Sequence, residues 1–184
     1  MKKMKKTCAV LLAVLSVSLL ASAFAGGGRH RMRAIADAGP NDNVRWNSIE
    51  GVITALNVDN PVGNNIHSGT FAWSVESGQA LVNLSTGHTS FQVEGLVING
   101  SAFSGTPGPI TMVTGTLVCD AGTPAETPFD TPSVPLDAHG DANFTGQLGS
   151  IPTTCGNPIF LIRIANPFAA GRWIATGADR TGGQ

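Results

Sequence analysis

The sequence predicts an all-β fold, a single antiparallel β-sandwich or barrel of about eight or nine strands. Three observations predict it. Glycine and proline, at 23 and 11 of the 184 residues, interrupt the chain at short intervals. Between these interruptions, Val, Ile, Thr, Phe and Trp alternate with polar residues, as they do in half-buried strands. Beyond the N-terminal segment, the sequence also lacks the apolar period of an amphipathic helix.

The N-terminal segment has the layout of a cleaved secretory signal. It opens with Met-Lys-Lys-Met-Lys-Lys, continues through an apolar run from Cys8 to Leu20, and reaches Ala-Ser-Ala-Phe-Ala before three glycines. We therefore expect residues 1–25 to be a signal peptide. The apolar run is shorter than the ~20 residues of a membrane-spanning helix, and no later segment has such a run. The sequence thus predicts an exported protein, secreted or periplasmic, without a membrane span.

The mature chain is predicted to start near Gly26. Residues 26–45 contain the basic cluster Arg29-His-Arg-Met-Arg33 and are expected to form a flexible N-terminal arm. Residues 46–184 are expected to form the β-sandwich or barrel domain around one hydrophobic core. The predicted strands are, in order, 49–56, 70–76, 80–85, 90–98, 110–119, 135–144, 144–148, 159–164 and 172–176.

Segment 159–164 differs from the other predicted strands because it is apolar on both faces apart from Arg163. This pattern predicts a central strand. In a fully buried strand Arg163 would need a carboxylate partner, whereas at the end of a sheet it would reach water. The candidate partners are Glu94, Asp120 and Asp137.

Two further segments are marked by their turn residues. Gly95 interrupts the apolar face of segment 90–98, which predicts a bulge or a close approach of another backbone. Segment 120–135 contains four prolines, and this composition favours an extended, solvated loop.

The charge distribution limits the partners. All four lysines lie within the first six residues, so the predicted mature chain has seven arginines against twelve acidic residues, a net charge of −5 with neutral histidines. We expect no nucleic acid partner, because binding to the phosphate backbone depends on clustered Lys and Arg. The absence of lysine also excludes Schiff-base chemistry in the mature chain.

The predicted mature chain keeps two cysteines, Cys119 and Cys155. In an exported protein the first expectation is a disulfide between them. Closing that loop would contribute roughly 3 to 4 kcal/mol by the chain-entropy model. A cysteine nucleophile or a metal thiolate is the alternative, but neither cysteine has a close Cys or His companion in the sequence.

The stretch from Pro135 to Phe144 places Asp137, His139 and Asp141 at every second position. In a strand this spacing puts the three side chains on one face, with the two aspartates ~13 Å apart, too far for one metal ion to reach all three. A metal site would therefore start from His139 and one aspartate, with further ligands from His67 or His88. The alternative interpretation is the solvated face of a half-buried strand.

Most catalytic and cofactor motifs are missing from the sequence. It has no Gly-x-Ser-x-Gly elbow, phosphate-binding loop, dinucleotide fingerprint, zinc-spaced cysteine set or calcium loop. We therefore predict no catalytic residue and no cofactor other than a possible metal ion. A pair of catalytic carboxylates assembled from distant strands stays open.

Several segments resemble exported bacterial β-domain proteins with no established activity. The resemblance rests on 115–119, 134–144 and Cys155, together with 159–163 and 172–177, roughly the C-terminal half of the mature chain. More loosely, Phe91-Gln-Val-Glu-Gly-Leu96 and the Gly-Pro loop before Ile110 are similar to CHRD-type secreted domains. The histidine-bearing segment typical of those domains is missing here, so neither resemblance implies a binding residue.

Three hypotheses for the function follow. The first is an exported non-catalytic β-domain that acts through surface recognition of an extracellular ligand or through association with the cell envelope. The second is a metal-dependent hydrolase or metal-binding protein centred on His139. The third is a small-molecule carrier with a pocket lined by Trp46, Trp73 or Trp173.

Overall fold

Antiparallel β-strands make up the regular structure of this protein. The computed structural model describes residues 42–150 and 154–182. Within these two ranges the chain forms eleven strands and no helix, so the predicted all-β fold is confirmed. The predicted signal peptide and most of the predicted arm lie outside the described residues. The strands are β1 (Asn43–Gly51), β2 (Ala72–Ser74), β3 (Ser77–Asn83), β4 (His88–Glu94), β5 (Val97–Asn99), β6 (Met112–Cys119), β7 (Thr127–Asp130), β8 (Val134–Pro135), β9 (Ala142–Gln147), β10 (Ile159–Ile164) and β11 (Trp173–Gly182).

Nine of these strands form one antiparallel sheet that curls into a half-barrel. Its order is β7-β6-β10-β11-β1-β3-β4-β9, and β8 pairs with β6 on the same side as β7. Strands β2 and β5 form a separate two-stranded antiparallel sheet. A backbone hydrogen bond from Trp73 in β2 to Val52 ties this small sheet to the chain just after β1.

The curl brings distant strands of the sheet together. Phe91 in β4 and Phe160 in β10 are separated by three strands, yet their ring centroids are 5.8 Å apart. The two edges of the sheet also touch, because the backbone N–H of Gly149, after β9, donates to the carbonyl of Asp130, at the end of β7. The interior of the half-barrel is therefore narrow enough for side chains from opposite strands to meet.

Four aromatic rings fill that interior as a continuous column. Trp46 and Phe160 have centroids 5.5 Å apart, and Phe91 and Phe144 have centroids 6.0 Å apart. The contact between Phe91 and Phe160 joins the two pairs. We call these four residues the aromatic column. Its separations are those at which aromatic pairs attract each other, by about 0.5 to 1.5 kcal/mol beyond the area they bury.

Two strand glycines leave room for the aromatic column. A Cβ atom on Gly115 in β6 would lie 2.7 Å from the ring of Phe91 and 2.8 Å from that of Phe160. A Cβ atom on Gly177 in β11 would lie 2.5 Å from the indole of Trp46. Glycine in a strand weakens the strand itself. Here its lack of a side chain permits the rings to pack directly on the backbone.

Strand β10 lies between β6 and β11, as predicted for a central strand. The register between β10 and β11 shifts at Ile162/Arg163, and at this irregularity the side chain of Arg163 is 18% exposed. There its Nη1 pairs with a carboxylate oxygen of Asp130 at 3.1 Å, and its Nε donates to the carbonyl of Gly171 at 2.7 Å. The three partners considered from the sequence were therefore wrong: Glu94, Asp120 and Asp137.

A disulfide closes one end of the half-barrel. Cys119 is the last residue of β6, and Cys155 lies four residues before β10. Their sulfur atoms are at bonding distance and their Cα atoms are 4.8 Å apart, so the predicted disulfide is confirmed. The link spans 36 positions in sequence and contributes roughly 4 kcal/mol by the chain-entropy model. A disulfide-bonded β-domain of this size fits an oxidising, extracellular compartment.

Several element boundaries differ from the prediction. Strand β1 begins three residues before the predicted domain boundary, so Asn43, Val44 and Arg45 belong to the sheet. The segment expected to be a solvated loop, 120–135, contains β7 and β8. Both are edge strands on β6, the position in a sheet where proline is tolerated.

Gly95 separates β4 from β5. It has a φ of 64°, and a Cβ atom there would lie 2.8 Å from Cβ of Glu76. The close contact at this glycine is with a side-chain atom, not with another backbone as predicted. The predicted strand 90–98 is divided into two strands that belong to different sheets.

Replacing Gly115 with alanine tests the packing of the aromatic column. We expect Gly115→Ala to lower the free energy of unfolding by about 1 to 3 kcal/mol, because the added methyl group overlaps two buried rings. Gly149→Ala is the control, since within residues 42–150 and 154–182 a Cβ atom there meets only the carbonyl oxygen of Asp130, at 3.4 Å. Chemical denaturation of both variants measures the effect, and equal stabilities would contradict the packing described here.

Candidate functional site

The stretch predicted to carry a metal ligand set is a turn, not a strand. Gly140 has a φ of 87°, and its N–H donates to the carbonyl of Asp137. The carboxylate of Asp137 accepts hydrogen bonds from the backbone N–H groups of Asp141, at 2.9 Å, and His139, at 2.8 Å. These bonds, that of Asp141 first, hold the pKa of Asp137 below its ordinary value. The strand prediction for 135–144 was wrong for residues 136–141, because Asp137 bonds its own backbone there, whereas residues 142–144 belong to β9.

The second aspartate of this turn also serves the backbone. Asp141 accepts a hydrogen bond from the N–H of Gly95 at 2.9 Å, which holds the turn against the break between β4 and β5. In residues 42–150 and 154–182, no three His, Cys, Asp or Glu side chains are grouped so that they could hold a metal ion. Asp137 and Asp141 therefore have a structural part in shaping the turn, and the geometry gives the hypothesis of a metal site at His139 no support.

A different site lies at the end of the half-barrel opposite the disulfide, where β6 and β11 begin and β10 ends. An apolar cleft of about 280 Å³ opens there. Beside it lies a groove of about 330 Å³, the charged groove, which shares Gly69, Thr70 and Arg172 with the cleft. The other residues of the charged groove are Asn57, Val58, Asp59 and His67. The other residues of the apolar cleft are Phe71, Trp73, Ile98, Phe103, Pro109, Ile110, Ile164, Phe168 and Ala169.

The apolar cleft has a buried floor and an exposed rim. Trp73, Ile98 and Ile164 in the floor are buried. At the rim, Phe103 is 47% exposed and Phe168 is 64% exposed. Large aromatic side chains that remain in water around an apolar depression are typical of binding surfaces.

Hydrogen bonds hold the loop that carries Phe103 in one shape. The carbonyl of Phe103 accepts bonds from both the N–H and the hydroxyl of Thr106. Ser101 Oγ accepts the N–H of Phe103. The loop is also bonded to β5, since Ile98 donates to Thr106 and accepts from Gly105. The ring of Phe103 is therefore exposed on a loop whose backbone is held by hydrogen bonds.

The loop that carries Phe168 is fixed in the same way. The carboxamide oxygen of Asn166 accepts the N–H groups of Thr111 and Met112, both at 3.0 Å. At the other end of the loop, the N–H of Gly171 donates to the carbonyl of Ile164. Both rim aromatics thus stand on loops that are bonded to the sheet.

Trp73 gives the apolar cleft a polar group. Its indole Nε1 has no hydrogen-bond partner among the described residues. In the same part of the chain, every fully buried side-chain nitrogen or oxygen atom has a hydrogen-bond partner. The indole N–H therefore keeps some contact with solvent, and the cleft is the opening that Trp73 lines. Tryptophan in a binding pocket commonly offers this donor to a ligand.

An Asp–His pair organises the charged groove. Nδ1 of His67 lies 2.5 Å from the carboxylate of Asp59, which also accepts the N–H of Ser68 at 3.0 Å. These bonds, that of His67 first, hold the pKa of Asp59 below its ordinary value, and the charge of Arg172 acts in the same direction. Nη1 of Arg172 donates to the carbonyl of Ser68 at 2.7 Å. The pair and the arginine thus hold one loop in place from two sides.

Ser68 does not complete a catalytic triad with Asp59 and His67. It is fully buried, and its Oγ donates to the carbonyl of Gly69 and accepts the N–H of Asn60. A nucleophilic serine must reach its substrate. The polar groups around His67 are therefore arranged to fix the loop.

The three tryptophans proposed to line a ligand pocket have different positions. Trp46 belongs to the aromatic column, and Trp173 is buried with its Nε1 donating to the carbonyl of Asn60 at 2.8 Å. Of the three, Trp73 lines the apolar cleft. The sequence reasoning missed Phe103 and Phe168. Their one sequence signal is a large aromatic residue within a Gly-, Ser- or Pro-rich turn, where no buried strand face accounts for it.

Comparisons with protein-family models, with curated proteins and with solved structures found no match to this chain. The resemblance to exported bacterial β-domain proteins and to CHRD-type domains therefore stays a prediction. Among the residues described by the structure, none belongs to a helix with the length and apolar character needed to cross a membrane.

The bonds of Asp59 predict a pH dependence of the charged groove. Because the pKa of Asp59 is lower in the folded protein, its contribution to stability is present above the unfolded pKa, about 3.9, and is lost as the pH falls through the folded value. We expect Asp59→Asn to lower the melting temperature more at pH 7 than at pH 2. Thermal denaturation at both pH values measures this, with Glu50→Gln, an exposed side chain of β1, as the control. An Asp59→Asn variant as stable as the control at pH 7 would contradict the assignment.

Proposed function

We propose that this protein is an exported, non-catalytic recognition domain that binds an amphipathic small molecule. The apolar body of the ligand enters the cleft between Phe103 and Phe168, and its anionic group lies beside Arg172. The observation that carries the proposal is the pair of exposed aromatic rings at the rim of an apolar cleft, with an arginine where the cleft meets the charged groove. The proposal joins the recognition hypothesis to that of a small-molecule carrier.

The size of the apolar cleft limits the apolar part of the ligand. Its volume of about 280 Å³ is slightly below the range of about 300 to 1,000 Å³ that is usual for whole small-molecule sites. A fused aromatic ring or a short alkyl chain fits that space. The rest of the ligand would then lie across Phe103, Phe168 and the charged groove.

Arg172 supports an anionic group on the ligand. Asp59 is already bonded to His67 and Ser68, and Arg172 forms no ion pair with any acidic residue in the described ranges. One Nη1 hydrogen bond to the carbonyl of Ser68 leaves other guanidinium N–H groups for a ligand. A planar guanidinium favours carboxylate and sulfonate groups, because two of its N–H groups can bond two of their oxygens.

Export and the absence of catalysis belong to the same proposal. The disulfide between Cys119 and Cys155 fits an oxidising compartment, as does the secretory-signal layout of residues 1–25. The serine beside the Asp–His pair is buried and fully bonded, so the charged groove is better suited to orienting a ligand than to attacking one.

Fluorescence titration with 1-anilinonaphthalene-8-sulfonate tests this function, since the probe joins an apolar ring system to an anion. We expect Phe168→Ser to raise its dissociation constant by about tenfold, because the probe would cover a ring that the protein leaves exposed. Ile53→Ser is the matched control, since Ile53 is 88% exposed and lies outside the cleft. Equal affinities in the two variants would contradict the assignment of the cleft.

The uncharged probe N-phenyl-1-naphthylamine separates the two parts of the site. Arg172→Gln is expected to weaken binding of the sulfonate probe several-fold and to leave binding of the uncharged probe unchanged, whereas Phe168→Ser weakens both. Thermal denaturation of Arg172→Gln serves as a check on folding, because Arg172 also holds the backbone of Ser68. Equal losses for both probes in Arg172→Gln would remove the anionic part of the proposal.

A further inference from the structure

The outward face of the half-barrel has a row of side-chain amides across neighbouring strands. Gln79 in β3 pairs with Gln92 in β4, and Gln92 pairs with Asn143 in β9. Asn47 in β1 borders the same depression as Gln79 and Gln92. Because strands lie about 4.8 Å apart, the row presents one amide at each such step across the sheet.

This row lies in a groove with a volume of about 470 Å³. The next row of outward residues forms the other part of the groove: Leu81 pairs with Ser90, and Ser90 pairs with Thr145. The lining has one charged residue, Arg45, at the end of this second row. The groove is therefore polar and almost uncharged, in a protein whose predicted mature chain is strongly acidic.

Two of the amides are held in place and two are available. Nε2 of Gln92 donates to a carboxylate oxygen of Glu94 at 2.7 Å, and Nδ2 of Asn47 donates to the carbonyl of Asp179 at 3.1 Å. The side chains of Gln79 and Asn143 make no hydrogen bond to any other residue in the described parts of the chain. Each therefore offers a donor and an acceptor to a ligand.

The chemistry of the groove selects among ligands. Strands β3 and β4 are paired on both sides, so a peptide strand could be added only along the outer edge of β9. Across β3 and β4, recognition must come from side chains. A single arginine is too little for a nucleic acid backbone. Sugar hydroxyl groups both donate and accept hydrogen bonds, as carboxamides do, and the step between neighbouring strands is close to the length of one pyranose unit.

We propose that this groove is a binding site for a neutral polysaccharide, which lies across β3, β4 and β9 with successive sugar units against Gln79, Gln92 and Asn143. The lining of this groove has no residue in common with the apolar cleft or the charged groove. The proposal is thus independent of the small-molecule site. Together the two sites would let the domain be held on a glycan surface while the cleft stays open.

Affinity electrophoresis of the folded protein in native gels tests the proposal. The gels contain one of four neutral polymers, namely dextran, mannan, laminarin or hydroxyethylcellulose, or the anionic polymer polygalacturonate. We expect at least one neutral polymer to retard the protein, and the double variant Gln79→Ala/Asn143→Ala to weaken that retardation at least tenfold. Asn99→Ala, an exposed asparagine of β5 outside the groove, is the matched control and is expected to behave as the unchanged protein.

Three results would overturn the proposal. The first is the absence of retardation by all four neutral polymers. The second is equal retardation of the double variant and the Asn99→Ala control. The third is retardation by polygalacturonate alone that is lost in Arg45→Gln, which would make the groove an anion site. The isosteric variant Asn143→Asp guards against a folding defect, because it keeps the shape of the side chain while removing its donors, and it is expected to weaken retardation as well.

Discussion

The packing of four aromatic rings inside a curled sheet is the constraint on which the rest of this structure depends. The rings come from β1, β4, β9 and β10, so they can meet only if the sheet bends until strands far apart in its order face each other. Gly115 and Gly177 permit that approach because a side chain at either position would occupy the space of a ring. The curl in turn decides which residues face outward. The amide row and the apolar cleft are both consequences of a half-barrel whose interior is filled.

The two ends of the half-barrel differ in how they are closed. At one end the disulfide between Cys119 and Cys155 covalently joins β6 to the segment that leads into β10. At the other end the connections are held by hydrogen bonds and apolar packing without a covalent link among the described residues, and they leave Phe103 and Phe168 exposed around a cleft with a buried floor. The two aromatic rings remain in water in the folded protein, so folding does not gain the hydrophobic free energy of burying them. A ligand that covers both rings would gain this free energy on binding. The exposed rim of the cleft is therefore consistent with the proposed binding function.

The sequence predicted correctly those features that depend on patterns of residues close together in the chain or on residue type. The all-β fold follows from alternation and turn residues, β10 follows from its apolar run, and the disulfide follows from two cysteines in a chain predicted to be exported. The strand prediction failed at Asp137, whose side chain accepts hydrogen bonds from the neighbouring backbone. The alternation of polar and apolar residues there belongs to a turn and not to a strand. The sequence-based prediction also failed for Arg163, whose partner is set by strand order. Phe103 and Phe168 lie in turns without periodicity, so only the folded loops show that they share one cleft.

The position of the ligand is the central claim, and the indole groups of the protein provide a direct measurement of it. The chain has three tryptophans, so a ¹⁵N-labelled sample gives three indole N–H signals in a two-dimensional NMR spectrum. Trp73 lines the apolar cleft, whereas Trp46 lies in the aromatic column and Nε1 of Trp173 is bonded to Asn60. Titration with 1-anilinonaphthalene-8-sulfonate is predicted to shift the indole signal of Trp73 and to leave the other two in place. Saturable binding that moves the signal of Trp46 or Trp173 while that of Trp73 stays fixed would contradict the account.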